Sequence, residues 1–162
     1  PNKGEYYLMD KSQGNLVNHV IFQCPNEKGK GVLVAPTVHG NLIVGPDSQP
    51  SAANDVSTTK QGLDFVRNTA LKSVPGINFR ESIRNFAGVR ARTADHDFHI
   101  YEDKNNKGFI NIAGMQSPGL SSACAIAPDI LKMLENSGLT LKAKEDKAIL
   151  NTLLYKINEG FP

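Results

Sequence analysis

The sequence predicts an α+β fold in which a mostly antiparallel sheet with one helix is followed by further strands and helices. Three observations support this class. Short apolar runs separated by turn residues come first, one helical pattern interrupts them, and helical patterns close the chain. This order differs from the strict alternation of a doubly wound sheet. The 162 residues, 40% of them hydrophobic, suffice for a core.

The first half is predicted to form strands around a single helix. Residues 5–10 and 16–24 are predicted strands, and residues 29–38 and 41–46 form a hairpin with His39 at its tip. A helix is predicted over 58–74, because Leu63, Val66 and Ala70 recur at helical spacing. We expect Ser57 or Thr58 to cap it.

The second half is predicted to form three strands and two helices. Residues 77–94 are predicted to be one long extended segment, and 97–103 and 108–114 two further strands. A helix is predicted over 120–134, where Pro128 should cause a kink or a restart. The last helix is predicted over 141–160.

Composition argues against several classes of partner. The net charge is only +2 and the basic residues are scattered, so we expect no nucleic-acid partner. No apolar stretch approaches the roughly 20 residues that span a bilayer, and the polar start is unlike a signal peptide. We therefore expect a cytoplasmic protein, with peripheral membrane association as an alternative. Cys24 and Cys124 are predicted to be buried free thiols, with a disulfide as the alternative, and no metal-binding spacing occurs.

The segment around Arg90 is the first candidate for binding chemistry. On a strand, Phe86, Gly88 and Arg90 share one face. A glycine inside a strand often marks the close approach of a ligand or of another backbone. The planar guanidinium of Arg90 suits a carboxylate or a phosphate, and the alternative is a structural pair with an Asp or Glu. Arg92 is expected to end the strand in solvent.

The second candidate is the turn between residues 114 and 121. Gly114 and Gly119 bracket a short loop that leads into a helix, and the first backbone N–H groups of a helix lack intrahelical partners. Together with the helix dipole, these groups favour negative charge. The alternative is a tight strand-to-helix turn packed against protein. No nucleophile or general base is evident from spacing at either site.

Four segments, taken in order, carry a family resemblance: "GEYYLMDK", "GVLVAPTVHGNLIVGP", "FAGVRA" and "GFINIAGMQSPGLSSACAIAP". Together they resemble the C-terminal half of the FAD-dependent oxidoreductases that include D-amino-acid oxidase, glycerol-3-phosphate dehydrogenase and L-2-hydroxyglutarate oxidase. The resemblance covers roughly residues 3–136. Family members begin with a strand, a GxGxxG turn and a helix that hold FAD, and this sequence has no GxGxxG. We therefore expect a fragment that is inactive and binds FAD weakly or not at all by itself, with the missing N-terminal half as its partner.

The resemblance implies three domains and a set of site residues. It implies a substrate-binding domain over 1–86, the C-terminal part of an FAD-binding domain over 87–136 and a helical extension over 137–162. Arg90 matches the arginine that binds the anionic group of the substrate, and His39 is a further candidate for substrate binding or proton removal. The residues matching the loop and helix start that contact the isoalloxazine ring are Gly114, Met115, Gln116, Ser117, Pro118, Gly119, Leu120 and Ser121.

The substrate implied by the resemblance is a small anion, either a 2-hydroxy acid or glycerol 3-phosphate. Glycerol-3-phosphate dehydrogenases of the family usually have Gly-Gly-Lys in this loop, whereas this chain has Gly114, Met115 and Gln116. The missing lysine favours a hydroxy carboxylate, and both substrates stay open. The alternative to an oxidoreductase is a stand-alone anion-binding or scaffold domain without catalytic activity.

Overall fold

The computed structural model describes residues 1–24 and 31–143 and confirms the α+β class. Its regular elements are β1 Asn2–Met9, β2 Leu33–Pro36, β3 Leu42–Gly45, β4 Gln49–Pro50, α1 Lys60–Ser73, β5 Ser82–Arg90, β6 His99–Glu102, β7 Ile110–Ala113 and α2 Gly119–Asn136. They belong to two compact units. The first contains residues 1–98 and 113–116, and the second contains 99–112 and the described residues from 117 onward.

Strand β1 is the centre of the five-stranded sheet in the first unit. One of its edges pairs antiparallel with β5 along almost its whole length, from Asn2↔Arg90 to Met9↔Ser82. Its other edge pairs with β4 and then β3, and β2 pairs with β3 as the outer strand. The β2–β3 connection is the predicted hairpin, with His39 exposed at its tip. The sheet is therefore antiparallel throughout, as expected.

Helix α1 covers one face of this sheet and forms the core with it. Val66 and Ala70 on the helix are completely buried, because they pack on the side chains that β1, β2 and β3 turn toward the helix. The cluster of buried apolar side chains consists of Met9, Val32, Val34, Leu42, Val44, Val66, Ala70 and Ile77. The packing follows from the period of two along the strands and of 3.6 along the helix.

A buried polar cluster holds the start of α1 on the sheet. The carboxylate of Glu5 is fully buried and accepts hydrogen bonds from the backbone N–H and the hydroxyl of Thr59, at 2.8 and 2.9 Å. The Thr59 hydroxyl in turn caps the helix by accepting from the Gly62 N–H at 3.0 Å. The Lys3 ammonium lies 3.8 Å from Glu5 and 2.8 Å from Asp55. The buried charge is therefore paired and hydrogen-bonded, as burial requires.

The second unit contains the β6–β7 hairpin and α2. Glu102 joins the two, because its Oε1 accepts from the Gly108 N–H at 2.7 Å and from the Ser137 hydroxyl at 2.8 Å. These hydrogen bonds lower the pKa of the Glu102 carboxyl, the one from the Gly108 N–H most. In the described part of the chain, no helix has the length and apolar character needed to cross a bilayer.

Several sequence expectations are corrected. Residues 16–24 form no strand, since Ile21 makes one isolated bridge to Val34 and the rest is loop. The cap of α1 is Thr59, because Ser57 instead bonds to Asp55 in the preceding turn.

Helix α2 is continuous through Pro128, so the expected restart is not found and the kink stays a prediction. Cys24 and Cys124 are free, as expected, but both are exposed rather than buried. The helix predicted over 141–160 lies almost wholly outside the described residues.

Candidate active site

Arg90 is the last residue of β5, and its side chain reaches across to β1. Its Nη1 donates a 2.8 Å hydrogen bond to Oδ1 of Asn2, the residue paired with it in the sheet. The guanidinium lies against the backbone of Gly4, since a Cβ added there would be only 2.4 Å from Nη2 and 3.1 Å from Cζ. The side chain is half-buried. Its position is therefore fixed by β1 as much as by its own strand.

The surroundings of Arg90 lie on the sheet face opposite to α1, which we call the Arg90 face. It is formed by alternate residues of β1 and β5, namely Asn2, Gly4, Tyr6 and Leu8 with Arg84, Phe86, Gly88 and Arg90. Tyr6 and Phe86 stack with their ring centroids 5.2 Å apart. Between this stack and Arg90 lies the Gly4↔Gly88 pair, and no atom comes within 4 Å of the place that a Gly88 Cβ would take. The surface at Gly88 is therefore open, beside the Tyr6–Phe86 stack and Arg90.

Among residues 1–24 and 31–143, no carboxylate neutralises the charge of Arg90. The ion pairs among the described residues join Lys3 to Glu5 and Asp55, and Lys60 to Asp64. The sequence alternative, a structural pair with an Asp or Glu, is therefore not what residues 1–24 and 31–143 show. An unneutralised, half-buried guanidinium attracts a carboxylate or phosphate more strongly than one already paired.

The loop after β7 is held by the turn that follows β5. Gly114 has φ +69, and a Cβ there would lie 2.7 Å from both Asp97 O and Thr93 Cγ2, so glycine is required twice over. The Gln116 side chain donates to His96 O at 2.8 Å, and its backbone N–H bonds to Gly114 O at 2.7 Å. The backbone and the side chain of Gln116 thus each donate a hydrogen bond within the loop region, and Met115 beside it is half-buried.

Helix α2, in the second unit, begins without a side-chain cap. Its N-cap is Pro118, which has no capping side chain, and the first helical hydrogen bond runs from Ser122 N to Pro118 O at 3.0 Å. The N–H groups of Gly119, Leu120 and Ser121 precede that bond and have no intrahelical acceptor. The Leu120 side chain is 94% exposed. These N–H groups and the helix dipole favour negative charge at this end, and contact of residues 119–121 with a flavin stays a prediction.

His39 and Arg90 are not brought together. Arg90 pairs with Asn2 at the start of β1, whereas His39 lies in the hairpin beyond Leu42, which pairs with Met9 at the end of β1. Seven residues of extended strand separate Asn2 from Met9, about 23 Å. A role for His39 at the substrate stays a prediction without support from this geometry.

Comparisons with known proteins identify the family of the chain. The family model described as DAO, FAD dependent oxidoreductase, matches residues 1–131. The chain belongs to this family. It is 50% identical over 147 residues to a glycerol 3-phosphate dehydrogenase of Caloramator mitchellensis, covering 90% of this chain and 31% of that protein. It is 38% identical over 146 residues to a glycerol 3-phosphate oxidase of Mycoplasma genitalium, covering 88% of this chain and 37% of that one.

A solved structure of an oxidase is similar to this chain in fold. The FAD-bound, dithionite-reduced L-α-glycerophosphate oxidase of Mycoplasma pneumoniae matches with a TM-score of 0.77 and 31% identity, over 90% of this chain and 38% of that chain. The chain therefore spans about a third of the length of these relatives. FAD is the cofactor of the family, and nothing in the comparisons supports a stand-alone scaffold domain.

Sequence reasoning identified Arg90 but missed the residues that hold it. Asn2 and Gly4 lie more than eighty positions earlier in the chain, and Ser48 donates to the same Asn2 Oδ1 at 3.1 Å. Only strand pairing brings these residues together. The available signal was Gly88 inside a predicted strand, which indicated that a ligand or another backbone comes close there.

Proposed function

We propose that the full-length protein is an FAD-dependent dehydrogenase or oxidase of glycerol 3-phosphate, in which this chain supplies the substrate-binding residues. The observation that carries the proposal is Arg90, a half-buried guanidinium with no carboxylate partner in the described residues. The relatives named as acting on glycerol 3-phosphate support this substrate over others.

Arg90 would bind the phosphate of the substrate, because its planar fork can donate two parallel hydrogen bonds to phosphate oxygens. The open surface at Gly88 would leave room for the carbon chain beside the Tyr6–Phe86 stack. Within the first unit, Met115 would contact the flavin, as the family resemblance implies. The chemistry supplied by FAD is the acceptance of hydride from the carbon that carries the hydroxyl group.

A 2-hydroxy carboxylate is the second candidate substrate, and a specific observation favours it. The loop over residues 114–121 contains no lysine, so it adds no side-chain cation to Arg90. A phosphate carries more charge than a carboxylate and would gain more from a second cation. We also propose that domain boundaries lie at residues 86 and 136, and that activity requires the N-terminal half of the protein.

The test is anaerobic reduction of the flavin in the full-length protein by each substrate. We expect glycerol 3-phosphate to bleach the flavin with a kcat/KM at least about tenfold above that of L-2-hydroxyglutarate. The reverse preference would make the 2-hydroxy acid the substrate instead of glycerol 3-phosphate. If neither compound reduces the flavin, the proposed activity is overturned.

A further inference from the structure

Arg90 is held by a neutral group rather than by an acid. Its hydrogen-bond partner is the carboxamide oxygen of Asn2, at 2.8 Å, and the Asn2 residue is only 9% exposed. The structural arginines of proteins usually pair with carboxylates where they are buried. Here the partner accepts a hydrogen bond without contributing charge.

The carboxamide of Asn2 is itself held in place. The Ser48 hydroxyl donates to the same Oδ1 at 3.1 Å, so this oxygen accepts from a serine and an arginine together. Gly4 completes the seat, because the guanidinium occupies the space that any other side chain at this position would need. The orientation of the fork is thus fixed from two sides.

Neutrality at Asn2 matters for the affinity of an anion. A carboxylate at this place would make a stronger, charge-assisted hydrogen bond to Nη1 and would compete with any incoming anion. With a carboxamide, the guanidinium is oriented while its whole charge stays available. Asn2 therefore orients the guanidinium without neutralising it, whereas an acidic residue would do both.

We propose that Asn2 is a positioning residue that orients Arg90 for an anionic substrate without neutralising it, and that Ser48 orients Asn2. The identity of the anion rests on the proposed function, whereas the arrangement of the three side chains does not. An aspartate in place of Asn2 would fit the space and could accept both hydrogen bonds, but it would weaken the binding of an anion by Arg90.

The test uses the full-length protein with Asn2→Asp, Asn2→Ala and Ser48→Ala. Asn85→Asp is the matched control, because Asn85 is exposed and lies on the opposite face of β5. This substitution adds the same negative charge as Asn2→Asp. Three quantities are measured for each variant: KM and kcat with glycerol 3-phosphate, and the rise in melting temperature caused by inorganic phosphate. The ligand-free melting temperature reports on folding alone.

We expect Asn2→Asp to raise KM about tenfold and to abolish most of the phosphate-induced stabilisation, with the ligand-free melting temperature retained. Asn2→Ala should raise KM less, by about threefold, while lowering the melting temperature, and Ser48→Ala should have a smaller effect still. Asn85→Asp should match the wild type. A larger rise in KM in Asn2→Asp than in Asn2→Ala would show that the partner of Arg90 must be neutral.

The inference is overturned if Asn2→Asp binds phosphate and substrate like the wild type. It is also overturned if Asn2→Ala has a higher KM than Asn2→Asp and this rise in KM parallels its fall in melting temperature. The second result would make Asn2 merely structural. Failure of the proposed function is a separate outcome, in which glycerol 3-phosphate does not reduce the wild-type flavin. The phosphate-induced shift then decides the inference alone, and its absence in the wild type overturns it.

Discussion

At the scale of single residues, Gly88 links the stability of the sheet to the space beside Arg90. A glycine inside a strand costs about 0.5–1 kcal/mol relative to alanine, and here nothing within 4 Å requires it. Its presence is explained if a ligand comes close to the backbone at this point.

We therefore expect Gly88→Ala to keep or raise the free energy of unfolding and yet to lower kcat/KM of the full-length protein about tenfold. Denaturant unfolding and steady-state kinetics measure the two effects. Asn85→Ala, on the other face of β5, should leave kcat/KM unchanged. A fully active Gly88→Ala variant would show that no substrate lies against this residue.

Asp55 is a residue whose charge contributes to stability. Its hydrogen bond from the Lys3 ammonium, at 2.8 Å, and further bonds from Ser57 lower the pKa of the carboxyl from 3.8 to about 2. The folded pKa lies below the unfolded one, so this stabilisation is present above 3.8 and is lost as the pH falls toward 2. We expect part of the acid-induced fall in melting temperature between these values to vanish in Asp55→Asn. An identical acid profile in wild type and variant would contradict the pairing with Lys3.

At the scale of elements, the polar cluster below the start of α1 makes Gly62 irreplaceable. A Cβ there would lie 2.5 Å from Gln49 Nε2, 2.6 Å from Glu5 Cδ and 2.7 Å from Asp47 Oδ2. These groups are confined by their hydrogen bonds and by burial, so they cannot give way at low cost.

Helix propensity alone would make Gly62→Ala stabilising by about 1 kcal/mol. We expect the opposite, a loss of about 1–2 kcal/mol in the free energy of unfolding, because the added methyl group overpacks the cluster. Asn68→Ala, at an exposed position of the same helix, should be stabilising by about 0.5 kcal/mol. Denaturant titration measures both, and a stabilised Gly62→Ala variant would show that the cluster can rearrange.

The elements also show what the sequence can and cannot predict. The β2–β3 hairpin and helix α2 were predictable because their signals, turn residues and periodic apolar side chains, are local. The strand predicted over 16–24 was wrong because Val17 and Ile21 pack on the core from a loop, and apolar character alone does not supply a pairing edge. The contact between Arg90 and Asn2 was out of reach, since it depends on the β1–β5 register.

At the scale of the whole molecule, the chain is about a third of the length of its relatives, and its described residues belong to two compact units. Arg90 and Gly114 to Gln116 belong to the first unit, and the uncapped start of α2 belongs to the second. The proposed activity requires that Arg90 bind the anionic end of the substrate.

The most direct measurement of that claim is the concentration dependence of flavin reduction by glycerol 3-phosphate in the full-length protein, followed anaerobically by stopped flow. For Arg90→Ala we expect the substrate Kd to rise at least about fiftyfold, since a charge-assisted anchor is lost. Arg84→Ala removes an exposed arginine from the same strand and face and should change Kd less than about threefold. A wild-type Kd in Arg90→Ala, or an equal loss in Arg84→Ala, would contradict the account.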